Sequence, residues 1–139
     1  MIMIDSNVIL DIITQDPKWF SWSQQIIQAY CERQKLLINA IIYAEVSINF
    51  EKIEDLEDIL SNKYFECAPI SLEVAFLAGK CFVQYKRNGG HRPSPLPDFF
   101  IGAHASILGI PLITRDPRPY KTYFPKLRLI YPETVKVLA

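Results

Sequence analysis

Apolar positions recur along the chain in two alternating patterns. Short apolar runs stand at Met1–Ile4, Leu36–Ile38, Phe65–Ile70, Pro111–Thr114 and Leu127–Tyr131, and runs of that length between polar residues predict buried strands. The segments between them follow helical spacing. Ser6–Thr14 carries apolar residues at 8, 9, 12 and 13, a single stripe. Asp16–Pro17 predicts a helix start, with Asp16 as cap and Pro17 as first helical residue, ahead of an amphipathic stretch over Lys18–Gln34. Asn39 is expected to cap a helix to about Phe50, an acidic helix follows over Glu54–Leu60, and Ser71 with Glu73 opens another to about Arg87. Asn88–Pro97 (NGGHRPSPLP) is the one clear loop; the next helix starts near Ser94 or Pro97, runs to about Leu108 and is closed by Gly109. Strands alternating with helices predict an α/β fold, a parallel sheet with helices on both faces. In such sheets ligand chemistry collects beyond the carboxyl ends of the strands.

Composition narrows the class. With 139 residues, half of them hydrophobic, the chain is expected to form one domain over 1–139 whose core needs no metal or disulfide staple. Its apolar runs are too short and too interrupted for a membrane span, and MIMIDSNVIL lacks the basic segment of a signal peptide. Cys31, Cys67 and Cys81 are odd in number and lack CxxC spacing, so they read as core thiols of a cytoplasmic protein. The formal net charge of zero hides an asymmetry: residues 1–70 hold 11 Asp/Glu against 5 Lys/Arg, and residues 71–139 hold 4 against 10. The second half can therefore offer a basic surface to a polyanion.

Four carboxylates stand in apolar or tightly built surroundings. Asp5 ends the first strand, and Glu45 is the only charged residue between Lys35 and Glu51. Asp98 heads PDFFIGAHASILGI, and Asp116 follows the fourth strand in LITRD. Singly, each has a structural reading: Asp5 as a helix cap, Glu45 paired with an arginine, Asp98 as a first-turn acid, Asp116 as a turn cap. Together they read as one cluster at the carboxyl edge of the sheet. Anions so gathered would force one another to protonate unless divalent cations hold them, and an oxygen-only donor set suits Mg²⁺ or Mn²⁺ rather than zinc. The expected chemistry is phosphodiester hydrolysis by a metal-activated water, with no side-chain nucleophile.

These residues resemble, over nearly the whole chain, the PIN-domain ribonucleases and among them the VapC-type toxins of toxin–antitoxin pairs. The resemblance rests on Asp5-Ser6-Asn7 after the first strand, Glu45, Pro97-Asp98-Phe99-Phe100-Ile101-Gly102-Ala103-His104-Ala105, and Thr114-Arg115-Asp116. It implies a five-stranded sheet of order 3-2-1-4-5 and metal-dependent endoribonuclease activity on an RNA substrate. It also implies a small antitoxin partner and a homodimer. By the same resemblance Asp5 and Asp98 would be the main metal ligands, with Glu45 and Asp116 holding metal directly or through water. Ser6, Asn7 and Thr114 would orient the acids; Ser6 stands where threonine is common, which keeps the hydroxyl.

The remaining residues carry paired readings. Lys86, Arg87, His91 and Arg92 before Asp98, and Arg115 and Arg118 around Asp116, read either as clamps for RNA phosphates or as a solvated surface. Gly102 and Ala105 share the helix face of Asp98 and permit either substrate approach or close packing. His104 lies opposite that face, as a satisfied core histidine. Trp19, Phe20 and Trp22 suit a partner groove or the core. Ile53, Leu56, Ile59 and Leu60 back an acidic, solvated helix face. A receiver domain would need paired acids after the first strand, and a HAD-type phosphatase would need DxD there; Asp5-Ser6-Asn7 supplies neither. The standing alternative is a non-catalytic PIN-like module that binds RNA or a partner.

Overall fold

The computed structural model describes residues 1–93 and 96–133. Strands β1 (Ile2–Ile4), β2 (Leu36–Ile38), β3 (Phe65–Cys67), β4 (Leu112–Ile113) and β5 (Leu129–Ile130) stand on the apolar runs. They pair in parallel throughout, in the order β3-β2-β1-β4-β5. The resemblance implied this order. The ladders are shorter than the runs because the chain leaves them quickly: the Ala68 amide still donates to Ile38 O at 2.8 Å, and three residues later Ser71 starts a helix. The central strand β1 and its neighbour β2 are wholly buried, as strands covered on both faces must be.

Among the described residues seven helices surround these strands: α1 (Ser6–Ile13), α2 (Phe20–Cys31), α3 (Ala40–Ser47), α4 (Ile53–Ile59), α5 (Leu72–Arg87), α6 (Pro97–Leu108) and α7 (Arg118–Tyr123). Asn39 accepts from the Ile42 amide at 2.9 Å and Ser71 from the Val74 amide at 3.2 Å, so both expected caps form. Helix α6 begins with Pro97 and is closed by Gly109 at φ 66°, the left-handed conformation glycine adopts without penalty. The alternative start at Ser94 lies outside the described residues.

Three expectations need correction. Asp16 accepts from the amides of Lys18 and Trp19, both at 2.9 Å. It thereby caps a turn, and α2 starts only at Phe20, leaving Pro17 outside the helix. Helix α3 stops at Ser47 rather than near Phe50, because the Phe50 amide turns back to Ser47 O at 3.0 Å. Helix α7 stands where the sequence reading has only a turn capped by Asp116: Pro117 and Pro119 disguise it, yet both occupy positions where a helix needs no amide donor.

The core joins β1, β2 and β4 to one face each of α1, α3 and α5 and to α6, which is buried on every side over 101–105. Gly102 sits where a Cβ would lie 2.3 Å from the Phe124 ring, so its role is close packing of α6 against the end of α7. Of the thiols only Cys81 is buried; Cys67 is exposed because β3 is an edge strand. On α4, Leu56 and Leu60 are buried while Ile53 and Ile59 face outward. No helix among the described residues is long and apolar enough to cross a membrane.

Candidate functional site

Asp5 leaves the carboxyl end of β1 in the backbone position of a cap for α1, but its side chain makes no capping hydrogen bond. It is 3% exposed and turns instead toward the sheet edge. There Oδ2 accepts from the Tyr120 hydroxyl at 2.7 Å and the Thr114 hydroxyl at 2.9 Å. Ser6 Oγ donates to Glu45 Oε1 at 2.8 Å, which ties α3 to the same edge. Thr114, just past β4, accepts from the Asp116 amide at 3.2 Å and from Asn7 Nδ2 at 3.3 Å. Asn7 Oδ1 accepts from the Arg115 amide at 3.1 Å. Ser6, Asn7 and Thr114 thus lace together the ends of β1 and β4 and the helix bearing Glu45.

Asp98, in the first turn of α6, reaches the same point: its Oδ1 lies 3.3 Å from the Tyr120 hydroxyl. One phenol therefore touches two carboxylates. Its single proton belongs to the shorter contact, with Asp5. Asp116 stands at the rim and turns away, its carboxylate accepting from Arg118 Nε at 3.0 Å and Nη2 at 3.3 Å.

Charges in this pocket oppose one another. Burial, followed by repulsion from Asp5 and Glu45, pushes the Asp98 carboxyl up to about 6. Burial raises Asp5 as well, against the pull of its hydroxyl partners. Glu45 is raised by burial and by Asp5. Asp116 alone is held below the usual carboxylate range, by Arg118. Burial and the two neighbouring carboxylates keep Tyr120 protonated well above its ordinary value, so it remains a donor. Among the described residues only two ion pairs form, Arg115–Asp11 and Arg118–Asp116. Asp5, Glu45 and Asp98 are partnered by hydroxyls and an amide alone.

The PIN domain family model matches residues 2–125. The chain belongs to the PIN domain family. Its fold is similar to VapBC2 from Rickettsia felis bound to a DNA fragment from its promoter (20% identity, TM-score 0.69, covering 94% of this chain and 98% of that one). It is similar also to VapBC-1 from nontypeable Haemophilus influenzae (23%, TM-score 0.67, 94% and 98%). FitAcB from Neisseria gonorrhoeae has the same fold (19%, TM-score 0.65, 94% and 96%). No curated relative matches the sequence.

The donor set of this PIN domain fits a hard divalent cation. Its oxygens are anionic, three of the acids lack a cationic partner, and their mutual repulsion would be relieved by one. No three His, Cys, Asp or Glu side chains among the described residues are already arranged around a common point. Mg²⁺ does not require that, because it is commonly held by one or two carboxylates, with waters and substrate phosphate completing the shell.

The basic residues separate into two groups. Lys86, Arg87, His91 and Arg92 are exposed. Their contacts are local: Tyr85 Oη accepts from the amides of His91 and Arg92, and Lys86 Nζ donates to Arg92 O at 3.4 Å. Arg115 is committed inward, donating from Nε to Asp11 at 2.8 and 3.1 Å. His104 is buried and lowered by burial, and its Nδ1 accepts from Asn39 at 3.1 Å, as expected of a satisfied core histidine. Trp22 packs on the core, while Trp19 faces a cleft with Arg115. Neither Tyr120 nor Asp11 stands out in the sequence as a site residue. Tyr120 lies in PRPYKTYF, where prolines mask the helix, and Asp11 lies within an otherwise apolar stripe where an acid needs explaining.

Proposed function

We propose that this PIN domain is a metal-dependent endoribonuclease and the toxin of a VapBC-type toxin–antitoxin pair, acting in the cytoplasm. The observation that carries the nuclease reading is the gathering of buried Asp5 and half-buried Glu45 and Asp98 at the carboxyl edge of the sheet, with neutral hydrogen-bond partners only. Asp5 and Asp98 would be the principal ligands of Mg²⁺ or Mn²⁺, with Glu45 and Asp116 contributing directly or through water. The bound ion would supply an acidified water and polarise the phosphoryl group. The chain's own contribution is orientation. Tyr120 and Thr114 fix one oxygen of Asp5, and Ser6 fixes one oxygen of Glu45. Asp116 is restrained by an exposed pair with Arg118 and by the Arg118 amide at 3.4 Å, contacts that solvent weakens, so it can turn inward.

Likeness in fold to toxin–antitoxin complexes supports the partner. An apolar groove of about 480 Å³ between α1, α2 and α4, lined by residues such as Ile9, Ile13, Ile27 and Phe50, suits an amphipathic antitoxin segment. Trp19, Phe20 and Trp22 are not among its lining. The homodimer reading draws on α5, where Leu72, Phe76 and Val83 share one exposed face.

The absence of a ready-made three-carboxylate cage among the described residues favours the second reading, a PIN-like RNA- or partner-binding module without turnover. Cleavage of labelled structured RNAs in Mn²⁺ or Mg²⁺ against EDTA, with Asp98→Asn run beside wild type, separates the two. Metal-dependent cutting lost in the variant supports the nuclease. Equal cutting by the variant contradicts it.

A further inference from the structure

Beside the acids lies a second feature that the nuclease reading does not use. Helix α7 has two working faces. Tyr120 points inward to Asp5 and Asp98, while Arg118 and Lys121 on the same helix line a cleft of about 810 Å³ together with Lys18, Trp19, Arg115 and Tyr131. The size is that of an organic-ligand site rather than of a single-ion site. Its walls pair cations with rings: Lys18 Nζ lies 5.0 Å and Arg115 Cζ 5.7 Å from the Trp19 centroid, and Lys121 Nζ lies 4.4 Å from that of Tyr131.

We propose that this cleft binds a single-stranded RNA segment, with bases stacked on Trp19 and Tyr131 and phosphates taken by Lys18, Arg118 and Lys121. Lys18 and Lys121 lie over the two rings, and Lys121 also donates to the Tyr131 hydroxyl at 2.9 Å; phosphates that draw these cations outward free the aromatic faces for splayed bases, which a duplex cannot offer. Arg115 has a different part. Asp11 holds its guanidinium at 2.8 Å, so it supports the Trp19 ring rather than gripping phosphate. Arg118 covers Asp116, the acid at the border between cleft and cluster. A phosphate that draws Arg118 away uncovers that carboxylate next to the strand. The proposal deepens the nuclease reading by naming where its substrate lies, and rests on that reading only for what happens to the strand afterwards.

The test is binding of fluorescein-labelled, single-stranded oligoribonucleotides of mixed sequence to the full chain in EDTA, read by anisotropy. Trp19→Ala and Tyr131→Ala should each weaken binding about tenfold, with Trp19→Phe retaining most of the affinity. Lys121→Ala should lower the slope of log K against log salt by about one. Lys63→Ala, outside the cleft, should change neither. Circular dichroism of each variant confirms folding, and Lys121→Ala carries the test should the aromatic variants misfold. Failure to bind, or unchanged affinity in all three cleft variants, overturns the proposal; intact metal-dependent cleavage in the same preparations would leave the nuclease reading in place. Displacement by polyglutamate as effective as by unlabelled RNA would overturn it in favour of an acidic protein segment. Ring-dependent binding by a wild type that cuts nothing would keep the cleft and remove the nuclease.

Discussion

Asp5 and Asp11 lie at the two ends of the same short helix and are buried alike, at 3% and 2% exposure. Their surroundings differ completely. Asp11 receives Arg115 Nε at 2.8 Å and Ser23 Oγ at 2.7 Å, a charge met by an opposite charge and a hydroxyl. Asp5 receives hydroxyls and an amide, and its charged neighbours are Glu45 and Asp98, both acids. A buried ion pair of the first kind holds parts of a fold in register. A buried anion among anions costs stability unless something outside the chain neutralises it. Burial alone therefore does not mark a functional acid; the sign of its neighbours does.

Substitution of either carboxylate tests this difference. The largest effect is expected at the acid cluster: Asp98→Asn should reduce RNA cleavage about a thousandfold or more, several kcal/mol of transition-state stabilisation, while the circular dichroism spectrum is unchanged. Asp11→Asn should act in the opposite sense. It strands Arg115 beside a neutral partner, lowers stability by about 3 kcal/mol in urea unfolding, and spares cleavage per folded molecule relative to Asp98→Asn.

pH separates the two regions further. The Asp98 carboxyl sits at about 6 in the folded chain against 3.8 ordinarily, so between those values the folded state keeps a proton that the unfolded chain has released. Stability in EDTA should accordingly be highest below about pH 4 for this group and fall by about 3 kcal/mol as pH rises through 6. In Asp98→Asn that decline should flatten, and a pH series of denaturation midpoints reads it directly. The smallest effect belongs to the helix that carries the shared phenol. Gly102→Ala must displace the Phe124 ring at the end of α7, costing about 1–3 kcal/mol by overpacking. It should also loosen the contact of Tyr120 with both acids, visible as cleavage lost beyond what the stability change explains.

Much of this was legible in the sequence because it depends on residue type and local spacing. The apolar runs locate all five strands, Asn39 and Ser71 cap the helices they precede, and Gly109 ends α6. The four acids are conspicuous because ionised groups are rare in apolar segments. What stayed hidden depends on partners far along the chain. Asp11 meets Arg115 across 104 residues, and Tyr120 meets Asp5 across 115; no local pattern announces either. Helix α7 was obscured by Pro117 and Pro119, residues that break a helix interior but fit its first turn. Arg115 illustrates the same limit from the other side. Its place next to Asp116 suggested a phosphate clamp, whereas its side chain is bound to Asp11.

Asp5, Glu45 and Asp98 are proposed to form a site whose charge a divalent cation completes. Calorimetric titration of the metal-free protein with Mn²⁺ tests it without any substrate. Saturable binding, accompanied by a rise in melting temperature and abolished by Asp98→Asn but retained by Asp11→Asn, is the predicted result. Binding that survives Asp98→Asn unchanged, or no binding at all by the wild type, would contradict it.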